Sequence, residues 1–220
     1  MLKIAIFDSG YGGELFADRL EEELGVVEII RVIDWRHAEF YQTNARMARS
    51  LALDALLPYI GKVDLVIFAN HLLSLTSLGY FRKKFPKQRF LGLELKAPDT
   101  FVKRDTLILT IKAVTKTMEY HGFIFGLKRK AKTFTADSWL NKIDDGELTQ
   151  TAINETLLRF INRKGIQPEE IILACSHFED IIPNLRKLFG QKIRIYSSFD
   201  NTIREACKIL RIRGAVRKIK

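Results

Sequence analysis

Of the two cysteines in this chain of 220 residues, Cys175 is the one placed for chemistry. It closes the apolar run Ile171-Ile-Leu-Ala-Cys-Ser-His177, with a histidine two residues on. A strand that carries a thiol to its carboxyl end is how open α/β sheets present a reactive group to a crevice. Ser176 and His177 are within reach of the sulfur. An adjacent imidazole and a following helix N-terminus both favour the thiolate over the thiol, whose ordinary pKa is about 8.5. The competing reading, a small hydrophobe packed in a core, is the commoner fate of a lone cysteine. The Ser-His pair favours the functional reading for Cys175. Cys207 lies in an amphipathic stretch and reads as core.

A second run has the same shape. In Val63-Asp-Leu-Val-Ile-Phe-Ala-Asn-His71, Ala69 falls opposite Cys175, Asn70 opposite Ser176 and His71 opposite His177. His71 is then either a proton carrier or a satisfied polar residue ending a strand. Near the N-terminus, Asp8-Ser-Gly-Tyr-Gly-Gly13 follows an apolar run and precedes a helical pattern. Its glycines permit a tight turn, and its amides either cradle an anion at the helix N-terminus or simply form that turn. The dinucleotide spacing G-x-G-x-x-G is absent and no Walker lysine follows. Asp8, at a strand end, can act as a base or orient one. His37 and His121 have no supporting neighbours in sequence and read as surface or capping residues.

Positioning these groups requires a scaffold, and the pattern for one runs along the whole chain. Short β-branched or apolar runs alternate with amphipathic stretches, as in βα units feeding a mostly parallel sheet. Strands are expected at 3–8, 27–34, 64–70, 89–95, 106–111, 131–136, 170–175 and 192–197. Helices are expected at 14–24, 45–60, 148–162, 181–189 and 202–212, each with apolar residues at three- and four-residue spacing. The order of elements begins again near Pro98 and Lys103. The expectation is therefore an α/β protein of two pseudo-symmetric lobes with mostly parallel sheets and an active-site cleft between them. The first lobe would take residues 1–96 and 199–220, the second 97–198.

Composition narrows the function classes. A hydrophobic content of 47% suits a globular chain long enough for a sizeable core. No apolar stretch approaches the ~18 residues needed to span a bilayer, and Met1-Leu-Lys-Ile-Ala-Ile leads straight into a strand. A soluble, cytoplasmic protein with no membrane partner is expected, its two cysteines free thiols in a reducing compartment. The net charge of +10 is carried largely by Arg82-Lys-Lys84, Lys128-Arg-Lys-Ala-Lys132 and the tail 211–220. These clusters are dispersed and thinly interleaved with aromatic residues, so a solvated basic surface is favoured over a nucleic-acid site. Such a field still attracts anionic substrates.

Taken in order, the motifs resemble the glutamate racemase family within the aspartate/glutamate racemase superfamily. Ile4-Ala-Ile-Phe-Asp-Ser-Gly-Tyr-Gly-Gly13 is similar to that family's opening strand and Asp-Ser-Gly-x-Gly-Gly turn. Ala174-Cys-Ser-His-Phe178 resembles its Gly-Cys-Thr-His-Tyr motif, and Val66-Ile-Phe-Ala-Asn70 lies where the family has a strand ending Ala-Cys-Asn-Thr. Weaker matches are Asp34 with Tyr41-Gln42, Gly92-Leu-Glu94 and Ile143-Asp-Asp-Gly146. The resemblance implies two α/β lobes and racemisation without pyridoxal phosphate or metal, with one cysteine from each lobe exchanging protons at a substrate α-carbon. It implies a small anionic amino acid or dicarboxylate as substrate, and it allows a homodimer. Carried over by position, Cys175 is the second-lobe acid/base and His177 its partner. Asp8 and Ser9 support the first-lobe base and bind substrate. Asn70 and Ser176 hold the substrate's polar groups, with Tyr41 beside them.

The departure from the family lies at Ala69, which stands where the first-lobe cysteine belongs and has no exchangeable proton. The family's next threonine-bearing position is His71. Three outcomes stay open: His71 or Asp8 replaces the missing base; Cys175 acts alone, as in the single-cysteine arylmalonate decarboxylases of the same superfamily; or the chain binds a ligand or partner without turnover.

Overall fold

The computed structural model describes residues 1–25, 27–95, 105–127 and 131–212. The boundary signal at Pro98 and Lys103, the basic residues 128–130 and the tail from 213 lie outside them. The first half of the chain runs β1 (Leu2–Asp8), α1 (Tyr11–Leu24), β2 (Val27–Ile33), α2 (Ala38–Thr43), α3 (Ala45–Leu56), β3 (Leu65–Phe68), α4 (His71–Lys84) and β4 (Phe90–Gly92). The second runs β5 (Thr106–Thr110), α5 (Lys112–Thr115), α6 (Met118–Gly126), β6 (Ala131–Thr135), α7 (Leu140–Asp144), α8 (Gln150–Lys164), β7 (Glu170–Leu173), α9 (Ile182–Phe189), β8 (Arg194–Tyr196) and α10 (Ser198–Leu210). The chain forms two compact units, one of Met1–Glu94 with Ser198–Lys220 and the other of Leu95–Ser197.

Each unit is an α/β fold on a four-stranded parallel sheet. The strand order is β2-β1-β3-β4 in the first and β6-β5-β7-β8 in the second, the same order twice. In the first unit the two-residue period of β1 divides its side chains between the sheet's faces. Ile4 and Ile6 pack with Phe16 and Leu20 of α1 and Phe199 and Ile203 of α10. Ala5 and Phe7 pack with Ala52 and Leu56 of α3 and Phe81 of α4. Burying each such large side chain contributes about 2 kcal/mol. In the second unit Leu107, Leu109, Ile171, Leu173, Leu157 and Leu185 are buried, and Phe134 packs against both Trp139 and Phe160.

All eight expected strands form, but their ends differ where it matters. The runs expected at 64–70 and 170–175 pair only as far as Phe68 and Leu173, because the chain turns out of each ladder at the next helix or turn. The helix expected at 45–60 stops at Leu56, since Pro58 has no N–H to continue it. Helices α2, α4, α5, α6 and α7 were not expected. The reason is clearest in α4: His71, Leu72, Leu73, Ser74, Ser77, Leu78 and Phe81 are all buried, so it lacks the one-sided polarity that betrays a surface helix. Its last turn carries Arg82, Lys83 and Lys84, where cations favour the carbonyl end of the helix dipole.

Candidate active site

In the first unit the carboxyl ends of β1 and β3 bring Asp8, Ser9, Asn70 and His71 together. Asp8 is fully buried, and its Oδ1 accepts from the Ser9 amide at 2.6 Å and from Asn70 Nδ2 at 2.8 Å. The anion met by this loop amide is thus the chain's own carboxylate. Asn70 is the N-cap of α4: its Oδ1 accepts from the Leu73 amide at 2.9 Å, while Nδ2 also reaches Ser9 Oγ at 3.3 Å. One asparagine therefore caps a helix and holds Asp8 in place. The glycine at position 13 has a matching purpose, because a β-carbon there would overlap that of Asp8 and come within 2.8 Å of Ile33 Cδ1. The turn needs glycine for close approach of α1 to β1.

His71 opens α4 rather than ending a strand. Its ring is almost wholly buried, with Nε2 3.0 Å from Ser198 Oγ of α10. Among the described residues its Nδ1 has no hydrogen-bond partner. Burial disfavours the imidazolium and lowers the pKa to about 3, so the ring is neutral at pH 7. Ala69 is fully buried in the apolar cluster that includes Leu91, Leu93 and Phe199.

Tyr41 is buried and donates its hydroxyl to Asp34 Oδ2 at 2.8 Å. Burial, then that hydrogen bond and the nearby carboxylates of Asp34, Asp8 and Asp54, push the phenol pKa far above its ordinary value. His37 has a supporting neighbour after all: the 3-10 turn Trp35–His37 sets its Nδ1 2.9 Å from Asp34 Oδ1. The sequence pattern does not show this neighbour, because the contact depends on that turn. His121 is exposed on α6.

In the second unit Cys175, Ser176 and His177 sit just past β7. Cys175 has an extended backbone and is the N-cap of the 3-10 turn Ser176–Glu179, with the next α-helix starting only at Ile182. The helix expected immediately after the cysteine is therefore a single tight turn, too short to build a full helix dipole. The sulfur lies 3.9 Å from His177 Nδ1, and His177 Nε2 lies 3.2 Å from Asp144 Oδ1 at the end of α7. Phe178, fully buried, meets Trp139 edge-on at 6.2 Å between centroids, which keys the turn to the segment leading into α7. In the tautomer that donates Nε2–H to Asp144, the Nδ1 lone pair faces the sulfur, an arrangement that can take its proton. Cys175 is buried, with 6% of the residue exposed.

The ladders compare the two units more strictly than the motifs do. The amide of Ala69 donates to Phe7 O and that of Ala174 to Leu109 O, each at 2.8 Å. By backbone register Ala69 matches Ala174, and Asn70 matches Cys175, both helix or turn N-caps in extended conformation. This is one residue off the motif pairing of Ala69 with Cys175. Hydrogen bonds count backbone positions, whereas motif matching counts side chains. Among the described residues, no group of three or more His, Cys, Asp or Glu side chains is placed to hold a metal ion.

No family model matches the chain. Glutamate racemase of Campylobacter jejuni subsp. jejuni is 25% identical over 210 residues, covering 90% of this chain and 82% of that protein. The structure of Escherichia coli glutamate racemase in complex with L-glutamate and the activator UDP-MurNAc-ala superposes with a TM-score of 0.82 at 16% identity, covering 96% of this chain and 83% of that one. Picrophilus torridus aspartate racemase gives a TM-score of 0.63 at 18% identity, with 94% of each chain covered. These relatives and the shared fold support a place in the aspartate/glutamate racemase superfamily. Sequence reasoning missed two residues of the candidate site, Asp144 and Ser198. Asp144 was visible within the weak match Ile143-Asp-Asp-Gly146, but nothing local marks which of its carboxylates faces a histidine. Ser198 had no signal at all.

Proposed function

We propose that this chain is a racemase-like isomerase that works without a cofactor and moves a proton at the carbon next to a carboxylate, with Cys175 as the acid/base. The observation that supports this reading is the relay of Cys175, His177 and Asp144 within one unit. His177 takes the thiol proton while Asp144 holds the imidazole in the required tautomer. The thiolate then removes the substrate's α-hydrogen: a C–H bond breaks, an S–H bond forms, and the electron pair spreads into the substrate carboxylate. Inversion is complete when a proton reaches the opposite face of the carbanion; return from the same thiol only regenerates the starting enantiomer. The substrate is a small anionic amino acid or dicarboxylate, drawn by the net positive charge. In the first unit Asp8, held by Ser9 and Asn70, is a buried carboxylate of a kind that can bind an amino group or act as a base. Two unpaired cysteines suit a cytoplasmic setting.

A second reading is favoured by two observations: Ala69 offers no proton, and His71 is held neutral. Cys175 then acts alone, protonating a carbanion on one face only, as a decarboxylase or a one-base isomerase would. Incubation with L- and D-glutamate and related dicarboxylic acids in heavy water separates the two. Deuterium at the α-carbon with inversion supports racemisation, whereas exchange or CO2 loss with one stereochemical outcome supports the single-thiol reading. Full activity in Cys175→Ser, or no turnover of any of these acids, would remove both.

A further inference from the structure

Helix α6 faces the wrong way for a surface helix. Of its nine residues only Tyr120 is buried, its hydroxyl 2.6 Å from Thr133 Oγ1 of β6, and this anchors the helix to the sheet. On the opposite side Met118 is 81% and Phe125 86% exposed. Seven residues make nearly two full turns, so these two side chains project within about 20° of one another, roughly 10 Å apart. Gly122 and Gly126 share that face, and a β-carbon at either would meet nothing within 4 Å. His121 is the polar residue on the face and Glu119 flanks it. Solvent-facing helix surfaces are ordinarily polar, so an apolar one signals a partner.

The charge around it is one-sided. Exposed Lys112 and Lys116 precede the helix and exposed Lys132 follows it. Across 112–132 the sequence holds Lys112, Lys116, Lys128, Arg129, Lys130 and Lys132 against Glu119 alone, an excess of five in a chain whose total is +10.

We propose that the outer face of α6 docks peripherally on an anionic lipid bilayer. Phe125 and Met118 enter the boundary between headgroups and acyl chains, while Lys112, Lys116 and Lys132 meet lipid phosphates and carboxylates. A second copy of the chain is a poorer occupant. A twofold contact would oppose like charges, and two prominent side chains supply roughly 300–400 Å² against the ~800 Å² per partner of a stable interface. A bilayer needs no complementary shape. The expectation of no membrane partner rested on the lack of a spanning segment; among the described residues no helix is long and apolar enough to cross a membrane, which does not bear on a surface contact.

The test is co-sedimentation of the full chain with vesicles of phosphatidylcholine alone and of equal parts phosphatidylcholine and phosphatidylserine. Binding to the mixed vesicles only, weakened by salt, is expected. The double variant Met118→Ser with Phe125→Ser should lose about tenfold or more in partitioning, and Lys112→Glu with Lys116→Glu should also weaken it, both with unchanged circular dichroism. The proposal is overturned by no binding to mixed vesicles, by equal binding to both kinds, by binding that the apolar double variant leaves intact, or by a stable dimer in which α6 is covered.

Discussion

Asp144 Oδ1 lies 3.2 Å from Nε2 of His177. On the proposed acid/base reading, that contact favours the tautomer with the proton on Nε2, which turns the Nδ1 lone pair toward the sulfur of Cys175 at 3.9 Å. Without it the imidazole could turn or adopt the other tautomer, and the thiol would lose its proton acceptor.

Replacing Asp144 should therefore damage turnover more than binding. For Asp144→Asn, kcat for α-deuterium exchange is expected to fall about 10²-fold, within the range of general acid–base contributions, with KM changed little. Asp144→Glu should recover part of the loss. Exchange rates followed by proton NMR under saturating substrate check this, and an unaltered kcat in the asparagine variant would remove Asp144 from the relay.

His71 makes stability depend on pH. Its folded pKa, about 3, lies below the unfolded value of 6.5, so between these limits the unfolded chain binds the extra proton. The stabilisation is complete above about pH 6.5 and is lost as pH falls toward the folded value, at about 1.4 kcal/mol per pH unit. Urea unfolding at pH 7 and pH 5 should show this slope in the natural chain. His71→Gln, which cannot titrate, should flatten it. Equal slopes in the two proteins would contradict the burial argument.

Gly13 should not tolerate a methyl group. The β-carbon of Gly13→Ala would collide with Asp8 and Ile33, and Asp8 cannot move freely because it is held by Ser9 and Asn70. A loss of about 1–3 kcal/mol is expected from such overpacking. Thermal unfolding measures it. A neutral substitution would mean that α1 can shift away from β1 at little cost.

Restoring a thiol at position 69 should not restore a second acid/base. Ala69 is enclosed with Leu91, Leu93 and Phe199, and the backbone ladder matches Asn70, not Ala69, to Cys175. In a Cys175→Ser, Cys207→Ser background, the thiol introduced by Ala69→Cys should react with Ellman's reagent only after denaturation. Rapid labelling of the native protein would show that the position opens to solvent.

The short apolar runs within β1, β3, β5 and β7 and the repeated order of elements made the α/β class and all eight strands legible along the chain. These are local signals, carried by which side chains must leave water. The pair Cys175 and His177 was legible for the same reason, since residues two apart at a strand end share a turn wherever the strand lies. Helices such as α4 and α6 were not: one is buried on nearly every side and the other turns its apolar side chains outward, so neither shows a buried stripe at helical period.

The sequence by itself determined the scaffold, the thiol with its histidine, and the absence of a thiol at position 69. Only the tertiary structure decided that Asp144 meets His177, that Ser198 meets His71, and that His71 is buried deeply enough to stay neutral. The division has a physical cause. Hydrophobic periodicity is written into neighbouring residues, whereas hydrogen bonds between distant segments and the desolvation of a charge exist only once those segments have packed together.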